Sequence, residues 1–241
     1  MNLVFDVDDT LYDLMKPFKK THDKFFAGQT EIDPKELFVK SRIASNIVLD
    51  LEKEGKILPE DAYFRRMQLT YEHTGISVSR ELSDRFDREY RYQQAHIELF
   101  DFIPGILDDC AGQQVRLAVL TNGRGSVQRQ KIHALGLERW IDEADIFVSG
   151  EIGYQKPDRK AFRFVERQLG IHPEDTWYVG DTYQSDMIGA KEAGWHALWL
   201  NHRENPEPLS VNAADAEVRS GEQLAKLIHH LIRRERVAAE P

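Results

Sequence analysis

Asp6 and Asp8 stand two residues apart at the end of a short apolar run, Leu3-Val4-Phe5, and Thr10 follows two residues later. Side chains at i and i+2 of an extended chain point the same way, so the two carboxylates can share one face. One can attack while the other handles protons. Crowded carboxylates repel each other and stay ionised only where a cation joins them, and oxygen-only ligands favour a hard ion such as Mg²⁺. Further along come Thr121-Asn122-Gly123, then Lys156-Pro157, then Gly180-Asp181 with Asp186 behind it. The Thr121 hydroxyl can donate to a phosphoryl oxygen, and backbone N–H groups around Asn122 can add to it. Lys156 can neutralise both that oxygen and the attacking carboxylate. Each piece alone has an ordinary reading, since Asp and Thr after strands serve as turn or cap residues. Their order, each directly after a predicted strand, carries the weight.

Those groups need a frame that brings distant segments together. Leu3-Val4-Phe5 reads as a buried parallel strand running into a polar loop. From Lys16 to about His96 the pattern becomes helical, with about four amphipathic helices and no convincing strand. Ile43, Ile47 and Leu51 are taken as one apolar stripe, and Phe64, Met67 and Tyr71 as another. After Pro104-Gly105, strands and helices alternate: strands at Val115–Leu120, Ile146–Val148, Trp177–Val179 and His196–Leu200, helices at Ser126–Leu135, Arg159–Leu169 and Gln184–Ala193. A glycine directly follows each of these helices, as a left-handed stop requires. Leu224–Ile232 reads as a final helix. Such alternation predicts an α/β fold, a three-layer Rossmann-like core with a parallel sheet covered on both faces. The expected division is a core of 1–15 and 97–232, an all-helical insert of 16–96, and a frayed tail of 233–241. Ligands of such sheets bind beyond the carboxyl ends of the strands, where the polar groups above would converge.

Composition narrows the function classes. The 241 residues carry a formal net charge of −9, which argues against broad binding to nucleic acid or to an acidic membrane. No apolar stretch approaches the roughly 18 residues of a membrane span. No secretory signal is visible, because Asp6, Asp8 and Asp9 interrupt the first apolar run. The single cysteine, Cys110, excludes an intramolecular disulfide and reads as a small core residue. A cytoplasmic protein, monomer or homodimer, is expected.

At its polar loops the chain resembles the haloacid dehalogenase-like (HAD) superfamily of hydrolases. The first motif is Asp6-Val7-Asp8-Asp9-Thr10-Leu11, the second Val119-Leu120-Thr121-Asn122-Gly123, the third Lys156-Pro157-Asp158, and the fourth runs from Gly180-Asp181 to Asp186. All four occur in the family's order, and the resemblance spans nearly the whole chain. It implies a phosphoric monoester hydrolase in which Asp6 is the nucleophile that forms an aspartyl-phosphate. Asp8 would protonate the leaving oxygen and then activate water. Mg²⁺ would be held by the Asp6 side chain, the Asp8 carbonyl and Asp181, with Asp186 acting through water or by orienting its neighbours. Thr121 and Lys156 would hold the phosphoryl group. The dehalogenase branch generally lacks a carboxylate at the position of Asp8, so its presence points to phosphate esters or anhydrides. The helical insert resembles the family's cap of the first type, and the branch resembled includes pyrimidine nucleotidases and related small-metabolite phosphatases.

Within the insert, Arg42, Asn46 and Arg65 are candidates to bind the rest of the substrate, Arg42 and Asn46 sharing a helix face. Their ordinary reading is as solvated charges or pairs internal to the insert. Tyr90, Tyr92 and His96 read as packing residues. The expected substrate is a small phosphorylated metabolite, such as a nucleoside monophosphate. The alternatives are a phosphosugar mutase on the same core and a non-enzymatic phosphate-ligand sensor.

Overall fold

The computed structural model describes residues 1–208 and 213–239. The chain divides into two compact units, Met1–Asp13 with Glu98–Pro241, and Leu14–Ile97.

The first unit is built on six strands: β1 Asn2–Phe5, β2 Arg116–Thr121, β3 Ile146–Val148, β4 Thr176–Gly180, β5 His196–Leu200 and β6 Ala216–Val218. They lie in the order β3-β2-β1-β4-β5-β6, and every pair is parallel. Leu3, Val4 and Phe5 are wholly buried. A strand buried on both faces has no polar side to present, which is why β1 reads as an unbroken apolar run. Its neighbours are β2 and β4, and the chain fills the β2 side before crossing to the β4 side. That places a topological switch point at the carboxyl end of β1.

Between β1 and β2 the chain leaves for the second unit, whose helices are α1 Met15–Phe26, α2 Pro34–Lys53, α3 Pro59–Thr70 and α4 Arg80–Gln94. The first unit then adds α5 Ile103–Gly112, α6 Gly125–Ala134, α7 Ser149–Ile152, α8 Arg159–Leu169, α9 Ile188–Ala193 and α10 Gly221–Ala239. Three elements are absent from the sequence reading: α5, the four-residue α7 and β6. Helix α5 carries Pro104 in its first turn, where the missing N–H costs nothing, and β6 is three residues long with Glu217 exposed at its centre. The 233–241 stretch expected to fray is helical through Ala239, and 240–241 lie outside the described residues. Helix α8 stops at Gly170, whose left-handed backbone (φ 65°) suits a residue without Cβ. Cys110 is buried as expected, and burial pushes its thiol up to about 12. Beneath the sheet, Phe162 meets Tyr178 and Trp195 edge-on at 5.5 and 5.3 Å.

The second unit has the four expected helices but not the expected stripe on α2. Its buried face is Leu37, Phe38, Ser41, Ala44 and Val48, whereas Ile43 and Ile47 are 55% and 44% exposed. Helix α2 carries apolar residues on two faces about half a turn apart. Periodicity shows that each stripe exists but not which one the unit covers. The interior is aromatic: Phe26 lies 4.8 Å from Tyr71, and buried His22 Nδ1 is 3.0 Å from the Tyr71 hydroxyl. Tyr90 packs as expected, while Tyr92 is exposed and rests on His96. No helix among the described residues is long and apolar enough to cross a membrane.

Candidate active site

Four parallel strands end on the same edge of the sheet, and each delivers a polar residue there or starts the loop that does. Asp6 follows β1, and its backbone N–H still bonds the Val179 carbonyl of β4 at 2.9 Å. That bond fixes where its carboxylate emerges. Thr121 is the last residue of β2 and is buried. Lys156 comes from the segment after α7, and Asp181 and Asp186 follow β4.

Lys156 is the hub. The residue is 3% exposed, and its ammonium donates to Asp6 Oδ1 (2.7 Å), Asp186 Oδ1 (2.8 Å) and the Tyr178 hydroxyl (2.6 Å). Three acceptors saturate its three hydrogens. The Tyr178 hydroxyl passes its own hydrogen to the Leu120 carbonyl at 2.6 Å. Burial works against the charge on Lys156, but Asp186 and Asp6 outweigh it and hold the ammonium well above its usual range. Burial likewise pushes the Asp6 carboxyl up to about 6; Lys156 opposes this, and Asp186 and Asp8 add to it. Asp186 also accepts from the Thr182 backbone and the Ser185 hydroxyl. Gly180 permits this approach, since a Cβ there would strike the Asp186 carboxylate.

One oxygen each from Asp6, Asp181 and Asp186 lies within 4.8 Å of the others. Three carboxylates against one ammonium leave an excess of negative charge in a place where burial already disfavours it. The donors are all oxygen, and Asp6 Oδ2 has no hydrogen bond among the described residues. These residues fit a hard divalent cation. The Asp8 carboxylate is not part of that cluster. It turns to α6, where Lys131 Nζ donates to both its oxygens (2.7 and 2.9 Å) and Gln128 Nε2 to Oδ2 (3.1 Å), and it also accepts from the Tyr12 hydroxyl.

The structure thus brings together Asp6, Lys156, Asp181 and Asp186, and links Thr121 to Asp8 through Gln128. The Asn122 side chain is engaged with the backbone of Lys156. Its amide donates to the Lys156 carbonyl (2.8 Å) and accepts from the Lys156 N–H (2.9 Å), clamping that loop to β2. Arg42, Asn46 and Arg65 are all exposed residues of the helical unit. Arg65 reaches Gln68 at a long 3.4 Å, whereas its neighbour Arg66 is the arginine turned inward, on the Ser41 hydroxyl at 2.8 Å. Sequence reasoning passed over Tyr178, Gln128 and Lys131. For the last two a signal existed: they share the inward stripe of α6 with Ile132 and Leu135, polar residues at core positions.

The loop after Asp8 is held by the segment that follows β5. Asp9 has a positive φ of 62°, unusual for a residue with a Cβ. Arg203 grips its carboxylate and also bonds Asp13 at 2.7 Å, while His202 Nε2 lies 2.9 Å from the Asp9 carbonyl. Burial would raise the Asp9 pKa, but hydrogen bonds from His202 and Arg203 prevail and lower it to about 2. A carboxyl lowered by folding stabilises the fold above its unfolded pKa, near 4, and loses that contribution as pH falls towards 2. The contribution is about 2 kcal/mol. Asp9→Asn should therefore melt lower than wild type at pH 7 in chelator, with the gap closing between pH 4 and 2. A gap that persists at pH 2 would refute the ion-pair explanation.

Comparison with known proteins agrees with the geometry. A family model described as haloacid dehalogenase-like hydrolase matches residues 3–200. The putative HAD-hydrolase YfnB of Bacillus subtilis is 26% identical over 94% of both chains. Its magnesium-bound crystal structure superposes with a TM-score of 0.71 at 24% identity, covering 94% of this chain and 97% of that one. Pyrimidine 5'-nucleotidase YjjG of Escherichia coli is 33% identical over 45% of this chain and 49% of its own. Three further curated relatives are phosphatases by name, and this chain spans about half their length or less. A solved L-2-haloacid dehalogenase, RSc1362, shares the fold with a TM-score of 0.77, covering 95% and 98% of the two chains at 17% identity.

Proposed function

The chain belongs to the haloacid dehalogenase-like hydrolase family, and on that premise we propose that it is a Mg²⁺-dependent phosphatase of small phosphorylated metabolites. The observation that carries this reading is that the Asp6 and Asp8 carboxylates face different partners. Asp6 sits among buried charges on Lys156, and Asp8 is held apart by its own set of donors. In the first step an Asp6 carboxylate oxygen attacks phosphorus, the bond to the leaving oxygen breaks, and Asp8 supplies that oxygen's proton. In the second, water attacks the aspartyl-phosphate, Asp8 takes a water proton, and phosphate and free Asp6 are restored. Covalent catalysis divides one difficult displacement into two easier ones. Lys156 faces the charge that builds on the phosphoryl oxygens. Thr121 accepts from Gln128 at 2.9 Å, so its own hydrogen is left to donate to one of them. Mg²⁺, held by Asp6, Asp181 and the Asp8 carbonyl with Asp186 in support, would supply the positive charge the acidic cluster lacks.

A dehalogenase shares this fold, but an alkyl halide leaves without a proton and has no use for Asp8. The helical unit Leu14–Ile97 is assigned the choice of substrate, with nucleoside monophosphates the first class to test because of the nucleotidase among the relatives. A panel of nucleotides, sugar phosphates and phosphorylated acids, assayed for phosphate release with Mg²⁺, tests the reading. Turnover of at least one ester is expected, with loss in excess chelator and recovery on adding Mg²⁺. Release of halide from a 2-haloacid with no phosphate from any ester would reject it.

A further inference from the structure

Helix α6 places two polar side chains where its apolar stripe should continue. Gln128 is 1% exposed and Lys131 5%, in line with buried Ile132 and Leu135. Burying a lysine is costly unless its charge is matched, and here the match is Asp8, contacted through both oxygens. Gln128 Nε2 faces three acceptors: the Asn122 carbonyl at 2.7 Å, Thr121 Oγ1 at 2.9 Å and Asp8 Oδ2 at 3.1 Å. Turning the amide over would set its oxygen against a carbonyl and a carboxylate, so this orientation is the favourable one. Its Oε1 has no partner despite full burial. An orphaned buried oxygen is a cost that an apolar residue at 128 would not carry. Glycine at 123 leaves room for the arrangement, since a Cβ there would run into the Gln128 side chain.

We propose that Gln128 and Lys131 are positioning residues for proton transfer, holding the Asp8 carboxylate in register with Thr121 at the phosphoryl position. The inference rests on the phosphatase reading. Lys131 fixes the carboxylate through both oxygens, and Gln128 ties it to the residue that would grip the phosphoryl group. With Lys131, Gln128 and Tyr12 all donating to it, Asp8 has one defined orientation rather than several. Lys131 bonds neither the acidic cluster nor Thr121, so its loss acts on the proton and not on the attack by Asp6, whereas Gln128 also holds Thr121.

The test uses that separation. An alkyl phosphate needs a proton on its leaving oxygen, whereas p-nitrophenyl phosphate has a leaving group that departs without one. Lys131→Met should lower kcat/KM on the alkyl ester on the order of 100-fold, the scale of general acid catalysis, and on p-nitrophenyl phosphate less than about 5-fold. Lys131→Arg should recover much of the loss, and Gln128→Met, which also releases Thr121, should slow both esters but the alkyl ester more, including where Lys131→Met fails to fold. Combining Lys131→Met with Asp8→Asn should cost no more than Asp8→Asn alone. An equal loss on both esters, or no loss on either, would overturn the inference. Two further results separate the levels: a leaving-group-dependent loss in Asp8→Asn keeps the acid role of Asp8 whatever Lys131 does, and absence of phosphate release from any ester by the wild type removes the phosphatase reading itself.

Discussion

Asp6→Asn is expected to abolish turnover, by on the order of 10⁴-fold or more, with no phosphate left on acid-quenched protein after mixing with substrate. Asparagine keeps the shape of the side chain and removes the nucleophilic oxygen, so binding should survive while chemistry stops. Stability should move the other way. Burial raises the Asp6 carboxyl to about 6, so the fold binds that proton more tightly than the unfolded chain does, and stability falls as pH rises from about 4 to about 6. The neutral variant escapes that loss. In chelator at pH 7.5 its melting temperature should equal or exceed that of wild type. Residual turnover within 10-fold of wild type would show that another group attacks.

Lys156→Met is expected to have the largest effect on stability. The ammonium is enclosed by Asp6, Asp186 and Tyr178, and both carboxylates are buried with it. Removing one partner of a buried pair leaves uncompensated charge and costs about 3–5 kcal/mol. Mg²⁺ should offset much of the cost, because the ion would meet the same carboxylates. The gap in melting temperature between variant and wild type should therefore be wide in chelator and narrow in saturating Mg²⁺, while turnover stays low in both. A gap that is the same width in both media would separate the lysine from the cation site.

Much of the molecule follows from local sequence. The strands Ile146–Val148 and His196–Leu200 and the helix Arg159–Leu169 appear with the limits their patterns predict. A short apolar run closed by polar residues, or an amphipathic run closed by glycine, leaves little freedom at its ends. The order of Asp6, Thr121, Lys156 and Asp181 along the chain was equally legible, because a parallel sheet sends the end of every strand to one edge. Local pattern does not say which partner a side chain finds. Nothing local shows that the Asn122 amide clamps the Lys156 backbone, 34 residues further along the chain. Ile43 and Ile47 read as core until the unit closes on the other face of α2. Tyr178 reads as one more core aromatic until its hydroxyl proves to complete the Lys156 hub.

By itself the sequence determined the α/β architecture, the helical stretch after the first strand, and which carboxylates, threonine and lysine are candidates for a site, since these depend on periodicity, turn chemistry and strand order. Only the tertiary structure decided that Asp8 faces Lys131 and Gln128 while Asp6 faces Lys156. Those pairs span more than a hundred residues of chain, and a hydrogen bond is made only where packing has already fixed both ends within about 3 Å.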